Sequence, residues 1–181
     1  MGTPPTDPRL TVFPSELGWI AMVGAGDVLC RLSFGHRGPD VAVAALGPEL
    51  AAVEGEWNPG LIDRLQAYAA GEPVDFGDVA IDQRHLSPFG RRVIRRCRRI
   101  PYGRTVSYAE LAAAAGSPRA ARAVGNCMAA NRTPLVVPCH RVVAAGGRLG
   151  RFSAPGGTRT KRRLLEMETR RRTDFQSVLS E

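Results

Sequence analysis

A thiol and an imidazole stand side by side at Cys139-His140, inside the otherwise apolar stretch Leu135-Val136-Val137-Pro138-Cys139-His140-Arg141-Val142-Val143. A thiolate is a strong nucleophile, but a free cysteine with a pKa of about 8.5 is only a few per cent ionised at neutral pH, so a reactive Cys139 needs a group to take its proton. His140 is the candidate. Pro138 fixes its own φ and biases Val137 toward an extended conformation, which makes the backbone entering Cys139 stiff. Neighbours on a regular strand point to opposite faces, so contact between the two side chains requires a turn or a bridging water. A bare Cys-His dipeptide is more often structural than catalytic.

The other three cysteines, Cys30, Cys97 and Cys127, form no C-x-x-C pair with each other or with Cys139, and the only histidines are His36, His85 and His140. No zinc-finger spacing results, so no metal is expected, and no cofactor motif is present. The glycine-rich segment 146–157 runs on into Gly157-Thr158-Arg159-Thr160-Lys161, which lacks the Gly-Lys-Ser/Thr order of a phosphate-binding loop. Unpaired cysteines in a chain whose first residues show neither a basic region nor an apolar core read as reduced thiols of a cytoplasmic protein.

Charge separates along the chain. Residues 1–83 carry four arginines against twelve acids, a net of −8, and the remainder carries 21 basic residues against five acids, a net of +16, which together return the overall +8. All basic residues but Lys161 are arginine. Composition bias toward arginine does not produce such segregation, so the second half is expected to face a polyanion, nucleic acid first among them. No apolar run approaches the roughly 18 residues of a membrane span.

The elements that must position Cys139 follow from patterning. Thr11–Phe13, Gly18–Val23 and Val28–Phe34 read as a small antiparallel meander, with an edge strand at 79–81. Helices are predicted over 39–46 and over 59–70, the latter with Leu61, Ile62, Leu65 and Tyr68 as its apolar stripe and Gly71 as its stop. Ser87-Pro88 starts a helix to about Arg99, with Phe89, Val93, Ile94 and Cys97 on one face and arginines elsewhere. That arginine face is either solvated or a nucleic-acid contact. Ser107-x-x-Glu110 is a capping box opening a helix over 108–115, and Gly116 ends it. Ser117-Pro118 is expected to start a second helix over 119–128, giving a helix-turn-helix pair. In that second helix Arg119, Arg122 and Asn126 stand among Ala120, Ala121, Ala123 and Gly125, small residues that let a backbone approach a surface closely.

These residues resemble the O6-alkylguanine-DNA alkyltransferase family, also called methylated-DNA-protein-cysteine methyltransferase. The resemblance rests on Pro138-Cys139-His140-Arg141-Val142, Asn131 eight positions before Cys139, Tyr108, the Arg119-Ala-Ala-Arg122-Ala-Val124 helix, Ile100-Pro101-Tyr102-Gly103 and the Lys161-x-x-Leu164-Leu165-x-x-Glu168 helix. It is close from Ser87 to about Glu168. It is looser in the acidic half, through Leu17-Gly18-Trp19-Ile20 and Leu32-Ser33-Phe34-Gly35. It implies an α+β fold: a ribonuclease-H-like domain over 1–83, a mostly helical, winged-helix-like helix-turn-helix domain over 84–172, and a mobile tail over 173–181.

The resemblance also implies a reaction. Cys139 would accept the alkyl group from O6 of a damaged guanine irreversibly, each molecule acting once; His140, through a water, would take the thiol proton, and Glu168 would orient the histidine. Asn131 would hold the turn between the recognition helix and the nucleophile. Tyr108 would press on the phosphate 3′ of the lesion while Arg122 fills the gap left by the extruded base. Arg119, Ala120, Ala121, Ala123 and Asn126 would line the minor-groove face. Val142, Phe152 and Ser153 would line the guanine pocket, closed by the glycine-rich segment. The partner implied is duplex DNA carrying O6-alkylguanine, bound by a monomer, with cooperativity along DNA and O4-alkylthymine activity left open.

Three positions depart from the family pattern. Phe152 stands where tyrosine is frequent, Ile94 where tryptophan is common, and Arg132 where proline is usual. A family branch without the cysteine binds lesions without repairing them, and Cys139 separates this chain from that branch. Two other functions fit the residues: a lesion sensor that recruits a partner, and a Cys-His hydrolase on an unrelated fold, the latter at odds with the basic half.

Overall fold

The computed structural model describes residues 7–47 and 52–178, the last eight of these as backbone alone. Strands β1 (Arg9–Phe13), β2 (Trp19–Ala25) and β3 (Val28–His36) form the antiparallel meander expected from their apolar runs. Two short strands pair in parallel at its edges: β4 (Val53–Glu54) beside β1, and β5 (Ala80–Ile81) beside β3. The sheet order is β4-β1-β2-β3-β5.

Both faces of the sheet are covered, and the two-residue period of a strand sorts its side chains between them. Ile20, Met22, Leu32 and Phe34 face a large core shared with helix α2 (Pro59–Ala69), whereas Ala21, Val23, Ala25 and Cys30 face the short helix α1 (Pro39–Ala44). In α2 the side chain of Asn58 accepts the Leu61 amide at 3.0 Å, and Leu61, Leu65 and Tyr68 recur on the buried face. Tyr68 therefore sits at the C-terminal end of α2, where the first half meets the second.

Helix α3 (Pro88–Cys97) begins as expected, with Ser87 accepting the Gly90 amide at 3.1 Å. Val93, Ile94 and Cys97 are buried, and Arg91, Arg92, Arg95, Arg96 and Arg99 are exposed. The capping box of α4 (Tyr108–Ala114) is complete: Ser107 Oγ accepts the Glu110 amide at 3.1 Å and Glu110 Oε2 accepts the Ser107 amide at 2.6 Å.

The second helix of the pair starts later than its sequence suggests. It spans Ala121–Ala129 (α5), and Arg119 lies in the turn before it. Gly116, at φ +77°, ends α4, with its own amide on the Ala113 carbonyl and the Ser117 amide on the Ala112 carbonyl. The Ser117 amide thus closes α4. The Ser117 carbonyl then accepts the Ala120 amide in a further turn, and Ala120, the residue just before α5, supplies no side-chain cap.

The short strands β4, β6 (Val106–Ser107) and β7 (Val142–Val143) were not read from the sequence, whereas a helix over 161–168 was. Strands β6 and β7 pair in parallel and tie the start of α4 to the chain just beyond Cys139. Helix α6 (Thr158–Val178) runs through the segment expected to be a mobile tail from 173, as far as Val178, because no glycine or proline interrupts it; residues 179–181 lie outside the described residues. The halves also share a core, since Leu135, Val136 and Leu164 pack with the sheet and α2. None of the described helices is long and apolar enough to cross a membrane.

Candidate active site

The backbone around Cys139 and His140 is not a strand. Pro138 takes φ −77° and ψ 62°, and the Cys139 amide bonds back to the Val137 carbonyl at 2.8 Å, an inverse γ-turn. The chain enters a single 3₁₀ turn, Cys139–Arg141, instead of a strand. The two side chains are thus released from the opposite-face alternation of a strand.

Asn131 holds this turn from the end of α5. Its Nδ2 donates to the Val137 carbonyl at 3.0 Å and to Cys139 Sγ at 3.1 Å, while its Oδ1 accepts the Thr133 amide at 3.1 Å. Cys139 is 3% exposed. Burial pushes its thiol up, against the Asn131 hydrogen bond, the charge of Lys161 and nearby backbone amides. The resting group is therefore a thiol, and ionising it requires a base.

His140 has no exposed surface, and its Nε2 lies 2.8 Å from Glu168 Oε1. A carboxylate accepts, so Nε2 carries the hydrogen and Nδ1 is left with the lone pair. Among the described residues Nδ1 has no hydrogen-bond partner. Burial, the largest influence, pushes the imidazole down despite the Glu168 carboxylate, with Arg141 and Lys161 acting in the same direction as burial. A neutral histidine with one open lone pair is a competent base.

Glu168, on α6, is fully buried and bonded on every side. Arg141 Nε reaches Oε1 at 3.2 Å and Oε2 at 3.0 Å, its Nη2 reaches Oε1 at 2.9 Å, the Gly103 amide donates to Oε2 at 2.9 Å, and the Tyr68 hydroxyl donates to Oε1 at 2.7 Å. Burial alone would raise this carboxyl, but the hydrogen bonds and charges of His140 and Arg141 outweigh it and hold the group to about 2. Arg141 is fixed in turn by the Ile100 carbonyl, which accepts from Nη1 at 2.7 Å.

Four partners of this network went unread in the sequence. Arg141 was part of the motif but carried no role, Gly103 contributes only a backbone amide, and Tyr68 read as one member of a core stripe. Lys161 had a signal: it is the only lysine in an arginine-rich chain. It is fully buried, donates from Nζ to the Val142 carbonyl at 2.5 Å, and stands 5.8 Å from the centre of the Tyr108 ring.

The residues expected to meet DNA lie on an outer face of the helix pair. Arg119, Arg122 and Asn126 are exposed, Ala120, Ala121 and Ala123 are half-buried, and Tyr108 is the first residue of α4. Of the expected guanine-pocket residues, Val142 is fully buried and Phe152 half-buried, 6.4 Å from the Phe34 ring. Ser153 is exposed and lines a cavity of about 500 Å³ with Asn131, Arg132, Phe34 and His36. Cys139 does not line that cavity, so Asn131 is the link between it and the thiol. Among the described residues no cluster of histidine, cysteine or carboxylate groups could hold a metal ion.

Residues 88–170 match the family model for the 6-O-methylguanine DNA methyltransferase DNA-binding domain. A methylated-DNA-protein-cysteine methyltransferase of Mycobacterium tuberculosis is 39% identical over 157 residues, covering 87% of this chain and 90% of the relative. A DNA base-flipping protein of Thermus thermophilus is 43% identical over 125 residues, covering 68% of this chain and 81% of the relative. The crystal structure of Mycobacterium tuberculosis OGT in complex with DNA superposes with a TM-score of 0.76 at 35% identity, covering 90% of this chain and 94% of that one.

Proposed function

This chain belongs to the 6-O-methylguanine DNA methyltransferase family, and from that premise we propose that it repairs O6-alkylguanine in duplex DNA by moving the alkyl group onto its own Cys139. The observation that carries the reading is a neutral, buried His140 in the turn after Cys139, held by an ionised Glu168 at 2.8 Å so that Nδ1 alone is open to take a proton.

The damaged guanine is extruded from the stack, at a cost of a few kcal/mol, because its O6 substituent is unreachable inside a duplex. Arg122, exposed on α5, fills the space left behind, and Tyr108 presses on the adjacent 3′ phosphate. Arg119, Ala120, Ala121, Ala123 and Asn126 form the surface laid on the minor groove, where small side chains allow close approach and base readout is poor. A repair protein whose targets occur in any sequence gains from that poverty. Val142, Phe152 and Ser153 receive the base.

In the pocket the thiol proton passes through a water to His140 Nδ1. The thiolate then attacks the alkyl carbon: an S–C bond forms, the O6–C bond breaks, and its electron pair returns to the guanine, which takes up a proton. Asn131 keeps Sγ in place throughout. The thioether cannot be reversed by these groups, so one molecule repairs one lesion, and no cofactor is consumed. The protein acts in the bacterial-type cytoplasm and nucleoid.

Intact mass after incubation with excess duplex containing one O6-methylguanine tests this, with Cys139→Ala in parallel. One methyl per molecule, mapped to Cys139 and absent from the variant, is the expected result. Tight lesion binding without an adduct would replace this reading with the sensor function, which the base-flipping relative keeps in view.

A further inference from the structure

We propose that Tyr68, delivered from α2 in the first half of the chain, is a positioning residue of the proton relay, its hydroxyl closing a triangle with His140 and Glu168 that holds the imidazole as the Nε2–H tautomer. The proposal rests on the alkyl-transfer reading of the same site. The Tyr68 hydroxyl lies 2.7 Å from Glu168 Oε1 and 3.1 Å from His140 Nε2, and those two atoms are 2.8 Å apart. All three side chains are fully buried.

The chemistry of the triangle allows one arrangement. The phenol has a single proton, and the carboxylate can only accept it, so Tyr68 donates to Glu168. Burial and the Glu168 charge keep that phenol protonated. Its oxygen lone pair is then turned to Nε2, so the Nε2–H is shared between Glu168 and Tyr68. Two acceptors on one N–H restrain the ring more than one does. The hydroxyl also competes with the imidazole for the same carboxylate oxygen, which limits how strongly Glu168 stabilises the imidazolium. The other charged groups near His140 are Arg141 on its own turn and Lys161 on α6, both opposing its protonation.

A plain packing role is the competing explanation, because the Tyr68 ring also packs on Phe76 at 5.9 Å and Tyr102 at 6.1 Å. Tyr68→Phe keeps the ring and removes only the hydroxyl. Its single-turnover reaction with free O6-benzylguanine should slow at least about five-fold at neutral pH. The acid limb of its pH–rate profile should move upward, since a Glu168 oxygen freed of Tyr68 lets His140 keep its proton to higher pH. Phe76→Leu, which loosens the packing alone, should lower Tm and leave the acid limb where it is.

An unmoved limb in Tyr68→Phe, alongside a slow His140→Gln, would overturn the role of Tyr68 and leave the relay standing. A His140→Gln variant as fast as wild type would sink the relay itself. The wild-type protein supplies a measurement that does not depend on any variant folding. Its ¹⁵N spectrum should show His140 as a single Nε2–H tautomer with the Tyr68 hydroxyl proton protected from exchange, and a mixed tautomer or a freely exchanging hydroxyl would overturn the proposal.

Discussion

Gly150 lies against the phenol of Tyr108: a methyl group placed on Gly150 would come within 2.6 Å of the Tyr108 hydroxyl and 3.0 Å of its ring. The glycine-rich segment and the start of α4 are therefore fitted to each other, and Lys161 Nζ lies 5.8 Å from the centre of the same ring.

Gly150→Ala is expected to displace the Tyr108 ring, which has no flexible end to yield. Reaction with lesion-bearing duplex should fall about ten-fold, equivalent to about 1.4 kcal/mol. Single-turnover rates on a methylated duplex measure this, and an unchanged rate would show that Tyr108 is not held by this contact.

Arg122→Ala separates extrusion from chemistry. Arg122 is exposed on α5 and makes none of the hydrogen bonds of the His140–Glu168 pair. With an extrusion cost of a few kcal/mol, the variant should lose about ten- to hundred-fold on duplex substrate and less than about two-fold on free O6-benzylguanine. Equal losses on both substrates would remove the assignment.

Acid should undo the buried network in a defined order. The His140 imidazole is pushed below its ordinary value of 6.5, so its contribution to stability is present above 6.5 and is lost as pH falls below it. Glu168, held to about 2 against an ordinary 4.5, contributes fully above 4.5 and loses that contribution as pH falls from 4.5 through 2. Glu168→Gln should cost about 3 kcal/mol at pH 7, since it leaves the buried Arg141 cation unmatched. Tm measured from pH 7 down to 2 should show wild type converging on this variant, and parallel curves would contradict the charge assignment.

Ser107→Ala removes the side chain that accepts the Glu110 amide and should cost about 1 kcal/mol, whereas Ser107→Gly costs only a few tenths. Because Ser107 immediately precedes Tyr108 and also pairs with Val143 through β6 and β7, the alanine variant should lose activity on duplex beyond its loss of Tm. Paired melting and repair assays measure both.

Local chemistry was legible in the sequence: the Ser87 and Ser107 caps, the stop at Gly116, the meander and the α2 stripe all depend on residues within a few positions of one another. The helix expected from Ser117-Pro118 starts only at Ala121, because the chain makes a further turn from Ser117 to Ala120 first. The resemblance assigned Cys139, His140, Glu168 and Asn131, but the residues alone left open how a Cys-His pair beside a proline could work together. Tertiary structure supplied a turn there, the γ-turn at Pro138, which puts the pair on a 3₁₀ turn stapled by Asn131. It also decided which groups meet Glu168. Tyr68 stands 100 positions from Glu168 and looks like any apolar stripe residue, because a stripe records only which face is buried. Whether a buried hydroxyl meets a carboxylate depends on how the α2 end and α6 pack across the shared core, and no local pattern encodes that.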